Sequence, residues 1–152
     1  QEQGDDVFSG SKPGDMSSPF QISEKQHLGA LFLSKLALLP EGENLRVSQA
    51  AKSFGASESY LEEIVSALKQ AGLVQAKTGP TGGYRLAKLP SEITAHEMVT
   101  SLEGPVALVP CLAHQKGLCG MEAGCKSKNL WSSLQTNINS TLKSTTLADL
   151  IN

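Results

Sequence analysis

Apolar residues recur at helical spacing over most of the chain, and this predicts a mainly α fold with one small β-hairpin. The sequence Ser23-Glu-Lys-Gln26 is a capping box, in which a hydroxyl and an amide side chain satisfy free backbone amides, and it opens a first helix. That helix is expected to bury Leu28, Leu31, Phe32, Leu36 and Leu39 and to end at Pro40. A second, short helix is predicted from Ser48 to Phe54, with Gly55 at the turn and Ser57 capping a third helix that buries Leu61, Ile64, Leu68 and Ala71 and stops at Gly72. Two strand-like runs, Leu73–Lys77 and Tyr84–Ala87, flank the Gly/Pro-rich turn Thr78–Gly83.

Short helix, glycine turn, longer helix and hairpin together predict a winged helix-turn-helix over residues 20–90. Residues 91–152 then hold a helix opened by Thr94-Ala-His-Glu97, expected to bury Val99 and Leu102 and to end at Gly104-Pro105. A cysteine loop (105–128) follows, and then a long helix from about Lys128 to Thr145. Its stripe of Leu130, Leu134, Ile138 and Leu142 needs a partner surface, which reads as dimerisation. Thr146–Ile151 is a final capped turn. Residues 1–19, rich in Gly, Ser, Asp and Pro without a period, are expected to be a disordered arm or an expression remnant.

Charge sharpens this picture. The net charge is −2, yet residues 45–88 carry six basic side chains against three acidic ones, while the rest carries seven against twelve. The positive field lies on the winged segment, where a DNA reader needs it. No apolar run reaches the roughly 18–20 residues that span a bilayer, and no signal-peptide pattern opens the chain, so a cytoplasmic protein without a membrane partner is expected. Nothing supplies a nucleophile–base pair or a substrate pocket, which argues against an enzyme and against a small-molecule substrate.

Several stretches, in order, carry a resemblance: Ser59-Tyr-Leu-Glu62, Lys69-Gln-Ala-Gly-Leu-Val74, Gly79-Pro-Thr-Gly-Gly-Tyr-Arg-Leu86, Leu102-Glu-Gly-Pro105, three cysteines and Thr146-Leu-Ala-Asp-Leu150. From about Phe20 onward the chain resembles the IscR/NsrR-type winged-helix transcription regulators. The resemblance implies a homodimer on a palindromic operator in double-stranded DNA. It also implies an iron-sulfur cluster held by the three cysteines, whose state sets DNA affinity.

In a helix-turn-helix the start of the second helix enters the major groove, which places Ser57, Glu58, Ser59 and Glu62 near base edges. Carboxylates accept from cytosine N4, and hydroxyls contact bases or phosphates. By resemblance Ser57, Ser59 and Glu62 align with base-region contacts; the plainer reading of Glu58, Glu62 and Glu63 is a solvated helix face. Tyr60 is expected to pack or to touch a phosphate. In the wing, Gly82 and Gly83 are expected to allow close backbone approach to DNA, with Lys77 and Arg85 supplying charge. The family often carries arginine immediately before the Gly-Pro of the wing, where this chain has Thr78.

Cys111, Cys119 and Cys125 are the only cysteines, separated by seven and five residues in a Gly-rich stretch. An odd number in a reducing compartment points to metal or redox chemistry rather than a disulfide framework. Thiolates suit iron in both oxidation states. Three ligands leave a position open. Many relatives fill it with histidine three residues after the last cysteine, where this chain has Lys128, a poor ligand while protonated. Other relatives use a residue early in the first helix of the partner subunit, and His27 occupies that place; His114 is the local competitor, and His96 reads as structural. Three cysteines and a histidine suit a 2Fe-2S cluster, with a 4Fe-4S cluster as the alternative. Zinc fits less well, because the paired two-residue spacings of structural zinc sites are absent. The rival to a cluster is a thiol-switch regulator of the same fold, sensing through unligated cysteines.

Overall fold

The structure, a computed structural model, describes residues 21–108 and 126–152. The arm and the three cysteines lie outside the described residues.

Helix α1 (Glu24–Ala37) begins as its capping box demands: Ser23 Oγ accepts from the Gln26 amide, and Gln26 Oε1 accepts from the Ser23 amide, each at 3.1 Å. It buries Leu28, Gly29, Phe32, Leu33 and Leu36. Leu31, expected inside, is 37% exposed. Each residue turns the helix by about 100°, so a face centred between Phe32 and Gly29 takes Leu33 and leaves Leu31 on the far side. Leu39 is half-buried against the core.

Helix α2 (Val47–Phe54) starts one residue before Ser48, with Arg46 at the cap and its amide donating to Gln49 Oε1 at 3.2 Å. Gly55 ends it at φ 69°, a left-handed conformation that glycine adopts without penalty. Ser57 Oγ then accepts from the Tyr60 amide at 3.2 Å and caps α3 (Glu58–Gln70). That helix buries Leu61, Ile64, Val65 and Leu68. Ala71, expected inside, is the exposed C-cap, because the helix finishes before its next inward position.

Strands β1 (Val74–Lys77) and β2 (Gly83–Leu86) pair antiparallel, with Val74 opposite Leu86 and Lys77 opposite Gly83. Leu45 extends the wing as a third, single-residue rung: its amide donates to Tyr84 O at 2.9 Å and Tyr84 N donates back to Leu45 O at 2.7 Å. The Tyr84 ring meets Phe32 edge-on at 6.3 Å, fastening the wing to the core.

After a 3-10 turn (Pro90–Glu92), helix α4 (Ala95–Glu103) begins at a capping box between Thr94 and Glu97. It buries Met98, not Val99 and Leu102, which are half-buried. Met98 faces the winged helix, while Val99 turns toward a crevice shared with α5 (Lys128–Ser144). No described residue of α5 is buried, and Leu130 is 60% exposed. Helix α6 (Leu147–Ile151), capped by Thr146, drives Leu147 into the core. One core therefore joins Phe32, Leu33, Leu61, Ile64, Leu68 and Leu73 with Ile93, Met98 and Leu147. Each such side chain contributes about 1.5–3 kcal/mol by leaving water.

Candidate nucleic-acid interface

The polar face of α3 exists because its apolar residues are used up on the core side. Ser57, Glu58, Ser59, Glu62 and Glu63 are exposed, and they occupy the cap and first two turns that a recognition helix presents to a groove. Tyr60 is half-buried against the core, so packing accounts for most of its ring. Lys25, on the first turn of α1, lines the same shallow groove as Ser59, Glu62 and Glu63. No sequence spacing relates residue 25 to residue 62, and only the packing of α1 on α3 reveals the neighbour.

The wing's register separates its faces. Side chains alternate along a strand and opposite partners share a side. Val74, Ala76, Tyr84 and Leu86 therefore lie on one face, and Gln75, Lys77 and Arg85 on the other. Val74 is buried, whereas Gln75, Lys77 and Arg85 are exposed, which puts both expected wing cations on one solvent face. Thr78 is exposed at the start of the turn. Gly82 and Gly83 have an internal reason to be glycine. A Cβ on Gly82 would lie 2.3 Å from Lys77 O, and one on Gly83, at φ 140°, 2.7 Å from Leu45 O. They let the wing fold on itself and on residue 45.

Helix α4 ends at Gly104 (φ 84°), and the Leu108 amide donates to Gln135 Oε1 of α5 at 3.0 Å. Residues 109–125 then carry the chain to Ser127, the cap of α5. At the other end of α5, Ala95 N donates to Thr145 O and Leu147 N to Ile93 O, both at 2.8 Å. Cys111, Cys119, Cys125 and His114 lie outside the described residues, so the chain into which they are set is defined by these anchors. Among the described residues no group of three metal-ligating side chains forms. His27 is exposed in the first turn of α1, and its imidazole has no hydrogen-bond partner among the described residues. His96 is half-buried in the first turn of α4. Among those residues no helix is long and apolar enough to cross a membrane.

A capped polar recognition helix beside a short helix, followed by a wing with a cationic face, defines a winged helix-turn-helix transcription regulator. The chain belongs to the Rrf2 family, described as "Iron-dependent Transcriptional regulator", whose model matches residues 22–152. It is 33% identical over 130 residues to the HTH-type transcriptional regulator CymR of Bacillus subtilis (strain 168), covering 86% of this chain and 88% of that one. The solved structure of CymR, the global cysteine regulator of B. subtilis, superposes with a TM-score of 0.70 at 32% identity, over 87% of this chain and 96% of that one. T. potens IscR superposes with a TM-score of 0.70 at 29% identity, over 87% and 86%. The protein is thus a DNA-binding regulator of transcription and not an enzyme.

Proposed function

We propose that this regulator acts as a homodimer on a palindromic operator and senses redox state, nitric oxide or iron-sulfur supply through a cluster on Cys111, Cys119 and Cys125. The observation that carries the reading is the placement of the loop's anchors: residues 104–108 and the cap of α5 bracket all three cysteines. Helix α4 packs on α1, α3 and α5, so the segment entering the loop touches the recognition helix through a single element. The donor set suits a 2Fe-2S cluster, with 4Fe-4S as the alternative: three soft thiolates and, from the partner subunit, the imidazole of His27, which is exposed and unengaged by other described residues. Such a cluster, when bound, supplies a centre that reacts with oxidants and nitric oxide. The chain's own part is mechanical. Ordering of the loop biases α4 and α5, and the affinity change is limited to the difference with which the two head arrangements bind DNA.

Anaerobic absorption spectroscopy with iron and sulfide analysis tests the reading. The parent is expected to carry iron and sulfide in equal amounts, and Cys119→Ala to lose them. His27→Ala is expected to shorten cluster lifetime and shift the spectrum; an unchanged spectrum and lifetime remove His27 from the site.

A second reading, a cluster-free thiol switch on the same three cysteines, is favoured by the likeness to a global cysteine regulator. Colourless anaerobic protein without iron, whose DNA affinity still changes on oxidation, supports it over the first.

A further inference from the structure

The wing turn, Thr78-Gly-Pro-Thr-Gly82, contains no charged side chain of its own. It presents backbone carbonyls at its tip, and partial negative charge there opposes the approach of a phosphate backbone. The structure places a cation over these carbonyls from a distant part of the chain. Arg46 Nη2 donates to Pro80 O at 2.7 Å and to Gly79 O at 3.4 Å. Asn44 Nδ2 donates to Thr81 O at 3.0 Å, so two residues flanking Leu45 hold the same turn.

A guanidinium has five N–H groups, and among the described residues only Nη2 finds acceptors. The three on Nε and Nη1 remain, on an exposed side chain. Arg46 borders a cleft of about 310 Å³ between the wing turn and the start of α2, lined also by Gln49, Pro80, Thr81 and Gly82 among others. Glu43 also lines that cleft, but it makes no ion pair with Arg46; Lys88–Glu97 is the one such pair among the described residues. No described carboxylate is therefore ion-paired with Arg46. Held by one nitrogen, the guanidinium is preoriented, and the N–H groups on Nε and Nη1 remain as separate donors for phosphate oxygens.

We propose that Arg46 is a DNA-phosphate contact, supplying the wing tip with the cation its own turn lacks and tying the wing and the start of α2 to one stretch of backbone. This rests on the DNA-binding reading and extends it to a residue outside both the recognition helix and the wing strands.

Arg46→Gln and Arg46→Lys separate contact from scaffolding. Glutamine keeps an N–H for the Pro80 carbonyl but removes the charge; lysine keeps the charge. Binding of the full chain to a mixed-sequence duplex is measured across a salt series, with thermal unfolding in parallel. The slope of log affinity against log salt is expected to fall by about 0.9 per protomer in Arg46→Gln. Arg46→Lys is expected to retain the parent slope, and both variants to unfold at the parent temperature. A parent slope in Arg46→Gln, or an equal loss in Arg46→Lys, overturns the assignment while leaving DNA binding standing. A parent that binds the duplex without salt dependence overturns both.

Discussion

Ser57 does two things at once. Its hydroxyl oxygen is engaged as the cap of α3, yet it is exposed at the tip of the recognition helix. Ser57→Ala is expected to cost about 1 kcal/mol of stability through the lost cap, measured by urea unfolding, and to weaken DNA binding beyond that. Glu62 carries no such structural duty. Glu62→Ala is expected to leave unfolding within about 0.5 kcal/mol of the parent and to change preference at one base pair by roughly 1–3 kcal/mol. Lys77→Ala, by contrast, is expected to weaken binding evenly across sequences. A binding-site selection distinguishes the two, and an unchanged motif for Glu62→Ala would remove it from base recognition. These surface residues were legible from the sequence because a capped helix exposes its first turn in a predictable way. Arg46 was not, since its partners lie more than thirty residues away and follow from the wing's fold.

At the level of elements, starts proved easier to read than buried faces. The capping boxes at Ser23 and Thr94 are local chemistry, and both open helices where the sequence puts them. Arg46, at the cap of α2, has a side chain that caps no helix amide, and there the expected start fell one residue late. Leu31, Ala71, Val99 and Leu102 satisfy helical spacing as well as Leu33, Val65 and Met98 do. Only the neighbouring element decides between them. Gly29 shows how tightly it decides: a Cβ there would lie 2.4 Å from Leu102 Cδ1, so α1 and α4 touch with almost nothing between them. Gly29→Ala gains about 1 kcal/mol in helix propensity, which offsets moving the end of one flexible leucine. Its stability is expected to stay near the parent's. Gly29→Leu cannot be absorbed in this way and is expected to lose about 1–3 kcal/mol, read from the denaturation midpoint.

For the molecule as a whole, the sequence shows the order of parts, while the packing shows that Ile93, Met98 and Leu147 complete the core of the reading head. Leu147→Ala is therefore expected to destabilise the winged helix itself by about 2–5 kcal/mol, which loss of DNA binding at elevated temperature reports. On the proposed dimer reading, the half-buried line of Leu134, Ile138 and Leu142, with exposed Leu130, is the surface that a second copy would cover. Ile138→Asp is expected to shift sedimentation from dimer to monomer while leaving the fold intact. The candidate sensor was legible only as composition: three cysteines in a Gly-rich stretch specify a chemistry, but that stretch has no apolar period from which an element could be read.

Helix α5 is held at its far end through Thr145 and Leu147, and near its middle where Gln135 receives the Leu108 amide. Its first two turns extend roughly 10 Å beyond that middle point, at 1.5 Å per residue. On the proposed sensor reading, a change in the cysteine segment reaches α5 through those first two turns, which precede both points that tie the helix to the head. Gln135 is then the joint between the proposed sensor and the rest of the helix, and Gln135→Ala is expected to blunt the signal without touching a cysteine or the DNA.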